Sequence, residues 1–276
     1  MLKLGYNEAT CKENSSVEKD LILCEKYGYD YIELRLDMLK EYFKTHTIDE
    51  LKVFFEEHHI KPFAFNSIEN INFCTEEEWK ELVELFTFAC ETAQAIGNPY
   101  IIVVPTVTNE ICTKNEKEVF DDSVKVLNEL ADIAEPYGVK LSFEPIGDRK
   151  WCCNSVRQAL EIVEAVDRDS VGLTVDCINV YLHDKCADVE YIKKIPKEKL
   201  FVYHINDCED LPLGILDHCH RIMPGLGAIP VKEISEAVKA VGYDGPACLE
   251  LFRPEYWQMD AEEVIKMGAE ASGKYL

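Results

Sequence analysis

The sequence predicts an α/β protein, a single (β/α)8 TIM barrel that spans residues 1–276. Eight short runs rich in β-branched and aromatic residues recur along the chain, and an amphipathic helical periodicity follows each of them. The length of 276 residues agrees, because such a barrel takes about 250 residues. No linker rich in Gly, Ser and Pro divides the chain, so we expect one domain.

The expected strands and helices alternate from end to end. The strands are residues 2–6, 31–35, 61–65, 100–104, 140–143, 171–175, 200–203 and 246–249. The helices are residues 17–26, 48–57, 76–96, 116–136, 155–166, 188–194, 231–241 and 261–272. Gly28, Gly97, Gly138 and Gly242 each stand shortly before a strand, as is typical of a helix that closes with a left-handed residue.

A doubly wound open sheet is the alternative fold. It would need a Gly-rich phosphate-binding turn after an early strand. The first strand is followed instead by Asn7-Glu-Ala-Thr, and this favours the barrel.

The composition argues against several classes of partner. Asp and Glu total 52 against 29 for Lys and Arg, which gives a formal charge of −23. So acidic a surface repels phosphate backbones and anionic membranes, and we expect neither nucleic acid nor a membrane as a partner. No stretch approaches the roughly 18 apolar residues of a membrane span, and the N-terminus lacks the pattern of a signal peptide. The 12 cysteines are scattered without a C-x-x-C pair. We therefore expect free thiols and a cytoplasmic location.

Four expected strands in the second half of the chain each lead into a residue that can bind a metal. These residues are Glu144, Asp176, His204 and Glu250. One such residue would usually cap a helix or form a surface ion pair. Because a barrel brings the C-terminal ends of its strands to one face, four of them favour convergence on one divalent ion, Mn²⁺, Zn²⁺ or Co²⁺.

Other polar and aromatic residues near the strand ends are candidates for substrate contact. Arg221 precedes the turn Pro224-Gly-Leu-Gly, and Asn7 follows the first strand. Trp151 could offer an apolar wall to a sugar face, and Arg253 stands in a loop beyond Glu250. The apolar residues within 252–257 could form a lid over the site or a homodimer contact.

Three further residues have structural interpretations. Glu33 and Arg35 alternate on the second strand, and we expect them to pair inside the barrel mouth. Asp207 could support His204 or a nearby loop, or it could be a solvated loop residue.

These residues carry a resemblance to the xylose isomerase-like sugar isomerase/epimerase superfamily of TIM barrels. The resemblance covers essentially the whole chain and is strongest to the inosose (2-keto-myo-inositol) isomerases of inositol catabolism. The phrases that carry the closer match are Gly5-Tyr-Asn-Glu-Ala-Thr, Cys24-Glu-Lys-Tyr-Gly-Tyr-Asp-Tyr-Ile-Glu, Asp132-Ile-Ala-Glu-Pro-Tyr-Gly-Val-Lys and Leu249-Glu-Leu-Phe-Arg-Pro-Glu-Tyr. One position departs: relatives commonly carry a histidine three residues after the strand-six aspartate, where this chain has Asn179.

The resemblance implies a metal-dependent isomerase of a keto-polyol, acting by proton transfer through a metal-bound enediolate. Glu144 and Glu250 would then transfer the proton and also bind the metal, while Asp176 and His204 would be ligands only. Arg221 and Asn179 would orient substrate hydroxyls, although Asn179 cannot carry a proton at neutral pH.

Several alternatives remain open at this point. An inosose dehydratase-like lyase or a ketose 3-epimerase would need the same metal and base. The endonuclease branch of the superfamily would need further histidines and a basic groove. A sugar-binding protein without chemistry is the non-enzymatic alternative.

Overall fold

Eight parallel strands close into a barrel in the computed structural model, which describes residues 1–107, 114–186 and 189–276. Each strand pairs with its neighbours in chain order, and the last pairs with the first. The expected (β/α)8 barrel is therefore confirmed. The strands are β1 Lys3–Asn7, β2 Tyr31–Arg35, β3 Lys61–Ile68, β4 Tyr100–Val103, β5 Lys140–Phe143, β6 Val171–Asp176, β7 Leu200–Ile205 and β8 Pro246–Leu249.

Helices cover the outside of the barrel and close its ends. They are α1 Val17–Lys26, α2 Leu36–Tyr42, α3 Ile48–Glu57, α4 Glu76–Ile96, α5 Glu116–Ala134, α6 Val156–Val166, α7 Cys177–Asp184, α8 Val189–Ile192, α9 Val231–Val241, α10 Pro254–Trp257 and α11 Ala261–Ser272. Within the described ranges, none of them is long and apolar enough to cross a membrane.

Local sequence explains most helix boundaries. Thr47 and Thr75 each cap a helix whose third residue is a glutamate, and the two side chains satisfy each other's backbone N–H groups. Gly97 closes α4 with a φ of 75°, a conformation that glycine adopts without steric cost. The expected helix at 188–194 is shorter, Val189–Ile192, and residue 188 lies outside the described residues. Helices α2, α7 and α10 are additional to the helices expected from the sequence.

The barrel interior has an apolar lower part and a polar upper part. Phe63, Ile102, Val202 and Cys248 belong to one buried cluster inside the barrel. Because successive side chains on a strand point to opposite faces, His204 and Glu250 lie directly above Val202 and Cys248. Space at the lower level is tight, since a Cβ on Gly5 would come within 2.4 Å of the Cys248 sulfur.

The loop after β7 carries a small additional element over the polar end. Residues Asp207–Cys208 and Arg221–Ile222 pair as a two-stranded antiparallel ribbon. A short 3-10 helix, His218–His220, precedes the second strand of the ribbon. The ribbon therefore places Arg221 and His218 beside the C-terminal ends of the barrel strands.

Candidate metal centre

The four residues at the ends of β5 to β8 meet in one buried cluster. One ligand atom from each of Glu144, Asp176, His204 and Glu250 lies within 4.8 Å of the others. The Nδ1 atom of His204 is 3.2 Å from Glu250 Oε2, 3.4 Å from Glu144 Oε1 and 3.5 Å from Asp176 Oδ2. The largest exposed fraction among the four is 3%, so water screens their charges little.

The donor set fits a divalent cation. Nδ1 of His204 is buried and has no hydrogen-bond partner among the described residues, which is uncommon for a buried polar atom. Its ring partner Nε2 is 2.9 Å from Glu33 Oε2, so in the neutral ring Nε2 carries the proton and Nδ1 offers its lone pair to a metal. One imidazole nitrogen and three carboxylates are ligands that Zn²⁺ and Mn²⁺ accept.

The electrostatics of the cluster also favour a bound cation. Burial by itself would lower the pKa of His204, but the carboxylates of Glu250, Glu33 and Glu144 outweigh it and raise the pKa well above its usual value. Burial raises the pKa of Glu144 to about 7. The cluster thus holds positive charge strongly, whether it is carried by a proton or by a metal ion.

The other two carboxylates are kept ionised. Burial would raise the pKa of Glu250, but His204 and Arg221 together lower it well below the usual value. Burial would likewise raise the pKa of Asp176, but the charge of Arg221 is the main cause that lowers it below the usual value. Two of the four groups are therefore ready to bind a cation without first losing a proton.

Four asparagine amides orient the carboxylates. Each donates a hydrogen bond to a carboxylate oxygen, and this holds the carboxylates in position beside His204. The donations are Asn66 Nδ2 to Glu250 Oε1 at 2.8 Å, Asn7 Nδ2 to Glu250 Oε1 at 3.2 Å, Asn179 Nδ2 to Glu144 Oε1 at 3.1 Å and Asn206 Nδ2 to Asp176 Oδ2 at 3.0 Å.

Asn179 owes its position to the start of α7. Asp176 is the N-cap of this helix, and its Oδ1 accepts from the backbone N–H of Asn179 at 3.0 Å. Gly147 packs against the same residue so closely that a Cβ there would lie 1.9 Å from the Asn179 carbonyl oxygen. The sequence carried a signal for this helix, because aspartate is a preferred N-cap residue.

Arg221 is completely buried and lies against the cluster. Its Nη1 donates to Asp176 Oδ2 at 2.8 Å and to Glu250 Oε2 at 2.6 Å. From the sequence we expect this arginine to contact substrate hydroxyls. In the structure, one of its terminal nitrogens is committed to two of the carboxylates, which it holds together.

Asp207 anchors the loop that carries Arg221. Its two carboxylate oxygens accept four backbone N–H groups, so it is neither a solvated residue nor a partner of His204. The donors are Cys208, Gly225, Gly227 and Ile229, at 2.8 to 3.0 Å. A Cβ at Gly227 would lie 1.9 Å from the Cys208 carbonyl oxygen, so this turn depends on glycine. Of the open interpretations, the loop-supporting role is the one that the contacts match.

Glu33 has a different partner from the one expected. The predicted Glu33–Arg35 ion pair is wrong: Arg35 binds Asp37 at 3.0 Å, whereas Glu33 contacts His204 and accepts from Asn7 Nδ2 at 2.7 Å. The alternation along β2 does turn Glu33 into the barrel. Its neighbours there are supplied by β1 and β7, which the spacing within β2 does not reveal.

A cavity of about 190 Å³ opens over the cluster. Trp151 lies in its wall together with Phe252 and the cluster residues Glu144 and Glu250. Arg253 is committed elsewhere, to Glu209 at 2.7 Å. The cavity is lined by Asn66, Ser67, Glu69, Val104, Glu144, Ile146, Trp151, His218, Arg221, Glu250 and Phe252. Asn7, Asn179 and Arg253 are not among these lining residues.

Comparison with known proteins gives consistent matches. A family model described as xylose isomerase-like TIM barrel matches residues 21–274. Inosose isomerase from Halalkalibacterium halodurans is 46% identical over 266 residues, 96% of this chain and 93% of that protein. Inosose isomerase from Bacillus subtilis is 44% identical, over 96% of this chain and 94% of its own length. A crystal structure described as IOLI protein with a binding zinc atom superposes with a TM-score of 0.94 and 42% identity, covering 99% of this chain and 97% of the other.

Proposed function

Since this chain belongs to the xylose isomerase-like TIM barrel family, we propose that it is a metal-dependent isomerase of a keto-polyol of the inosose type. The observation that carries this proposal is the buried cluster of Glu144, Asp176, His204 and Glu250 around the unpartnered Nδ1 of His204. The inosose isomerases that share 42–46% of its sequence support the choice of substrate.

The cavity suits a small polyol. Its volume of about 190 Å³ is enough for one six-membered ring with its hydroxyl groups. Trp151 and Phe252 supply apolar faces, while Asn66 and Ser67 supply polar edges. Such a mixture is typical of sites that bind small polar rings.

The four cluster residues would hold the cation, and Zn²⁺ is supported by the zinc atom of the related structure. When bound, a divalent cation acts as a Lewis acid that polarises a carbonyl and makes the neighbouring C–H more acidic. The side chains of the cluster transfer the protons.

Glu144 is our candidate for removing the proton from the carbon beside the carbonyl. Glu250 accepts from two amides and from Arg221, whereas Glu144 accepts from the amide of Asn179. Less of the Glu144 charge is already satisfied by donors, so it is the stronger base of the two. Glu144 or Glu250 then returns a proton to the former carbonyl carbon. The proton of the neighbouring hydroxyl passes to the former carbonyl oxygen, and this moves the carbonyl along the ring.

The test is proton NMR of 2-keto-myo-inositol in D₂O with the zinc-loaded protein. We expect deuterium to enter beside the carbonyl and an isomeric ketone to appear. Glu144→Gln should abolish both, while Glu161→Gln, a change on an exposed helix surface, should leave them unchanged.

Other products would change the assignment. A dehydrated product would identify a lyase, and inversion at a single carbon would identify an epimerase. Absence of deuterium exchange with the zinc-loaded protein would contradict the proposed substrate class.

A further inference from the structure

His218 contributes a hydrogen-bond donor that the metal cluster does not use. It lies on the short 3-10 helix before Arg221 and is one of the residues that line the cavity. Its Nδ1 is 3.1 Å from Arg221 Nη2. Its Nε2 is buried and has no hydrogen-bond partner among the described residues.

The contact with Arg221 fixes the tautomer of this ring. A guanidinium group has only donors, so Nδ1 of His218 must accept and therefore carries no proton. A neutral imidazole then holds its single proton on Nε2. The unpartnered atom is thus an N–H donor, and a buried donor without a partner is unfavourable.

The surroundings keep the ring neutral and in place. Burial, and next the charge of Arg221, lower the pKa of His218 to about 4, so the imidazole neither gains nor loses a proton near pH 7. The ring of Phe252 packs edge to face against it, with centroids 6.0 Å apart. The guanidinium of Arg221 also lies over Phe252, at 5.3 Å from its centroid.

We propose that His218 is a catalytic residue that donates a hydrogen bond from Nε2 to an oxygen atom of the bound keto-polyol. The inference rests on the proposed function. The Asn66 amide and Arg221 Nη1, which belong to the same wall, already donate to Glu250, whereas Nε2 of His218 and Nε of Arg221 have no partner among the described residues. Removal of a proton beside a carbonyl places negative charge on oxygen, and a preorganised donor stabilises that charge. A neutral imidazole can do this without transferring its proton.

Two substitutions separate this role from mere support of Arg221. His218→Asn places an amide oxygen near the position of Nδ1, so it keeps the acceptor for Arg221 and loses the donor. His218→Gln places an amide nitrogen near the position of Nε2, so it keeps the donor and loses the acceptor. We expect His218→Asn to lower kcat about 10²-fold with little change in KM, and His218→Gln to stay within about tenfold of the wild type. Cys219→Ser, an exposed change on the same helix, should match the wild type.

The reverse order would overturn the proposal. If His218→Gln were the poorer enzyme, or if His218→Asn kept the wild-type kcat, the residue would only support Arg221. Bound zinc per chain, measured for each variant, should be unchanged if His218 acts on the substrate rather than on the metal cluster.

Nitrogen NMR of the imidazole tests the inference without turnover. In ¹⁵N-histidine-labelled protein, the signals lost in His218→Asn should show a neutral ring protonated on Nε2 at pH 7, and the Nε2–H signal should shift when myo-inositol, which lacks the reactive ketone, is added. A ring protonated on Nδ1, or no shift with bound myo-inositol, would contradict the role of His218. Failure of the wild type to exchange protons of 2-keto-myo-inositol would instead contradict the proposed function, and the NMR result would then decide about His218 alone.

Discussion

Glu33 on β2 and His204 on β7 form a buried pair, with Glu33 Oε2 2.9 Å from His204 Nε2. Both side chains are fully inaccessible to solvent. The carboxylate accepts a hydrogen bond from Nε2–H on one side of the imidazole, and this leaves the lone pair of Nδ1 on the side where the other three carboxylates lie. Such a partner fixes the orientation and the basicity of a histidine ligand.

The first prediction concerns this pair. Glu33→Gln should weaken zinc binding about 10–100-fold, because a neutral amide oxygen is a weaker acceptor for the Nε2–H group of His204 than a carboxylate. Competition with a chromophoric zinc chelator measures the change. Asp37→Asn is the matched control, since Asp37 pairs with Arg35 and has no contact with His204. Unchanged zinc affinity in Glu33→Gln would show that Glu33 is only a packing residue.

Metal removal should lower the stability of the protein. A ligand that binds only the folded state adds about 2.7 kcal/mol at a free concentration of 100 times its Kd. Thermal unfolding at increasing Zn²⁺ should therefore show a rising Tm, and Asp176→Asn should largely abolish the rise because it removes one ligand. Asp49→Asn, an exposed change in α3, should retain it. An equal rise in Asp176→Asn and in the wild type would place the zinc elsewhere.

The barrel and the four clustered residues could be predicted because both depend on local patterns. Apolar runs such as Val171–Asp176 identify strands, and a polar residue at the end of a parallel strand must lie at the common face. The contacts of Arg221 and Glu33 could not be predicted in the same way. Asp176 is 45 residues from Arg221, and His204 is 171 residues from Glu33, so only the closed barrel brings these partners together.

Asp207 should make a large contribution to the folded state. Its carboxylate accepts four backbone N–H groups, and an amide in its place would turn a donor toward some of them. We expect Asp207→Asn to lower the free energy of unfolding by about 2–4 kcal/mol, measured by urea denaturation. Asp217→Asn, at the exposed cap of the 3-10 helix, should cost about 1 kcal/mol or less. Equal effects of the two changes would contradict the anchoring role.

Asp20 should make the stability of the protein depend on pH. It is fully buried on α1, accepts from Ser15 Oγ at 2.5 Å, and burial raises its pKa to about 8. In the unfolded chain the carboxyl has a pKa of about 3.9, so between pH 4 and about 8 the folded state holds a proton that the unfolded state has lost. The stabilising contribution is therefore complete below about pH 4 and is lost as the pH rises toward about 8.

Asp20→Asn keeps the shape of the side chain and replaces the titratable carboxyl group with an amide. Between about pH 5 and 7, the free energy of unfolding of the variant minus that of the wild type should increase by about 1.4 kcal/mol per pH unit. The variant should therefore be the more stable protein at pH 8, with the difference shrinking toward pH 4. Urea denaturation at a series of pH values measures both proteins. Parallel pH profiles would mean that Asp20 ionises equally in both states, and that the carboxyl is not protonated inside the folded protein.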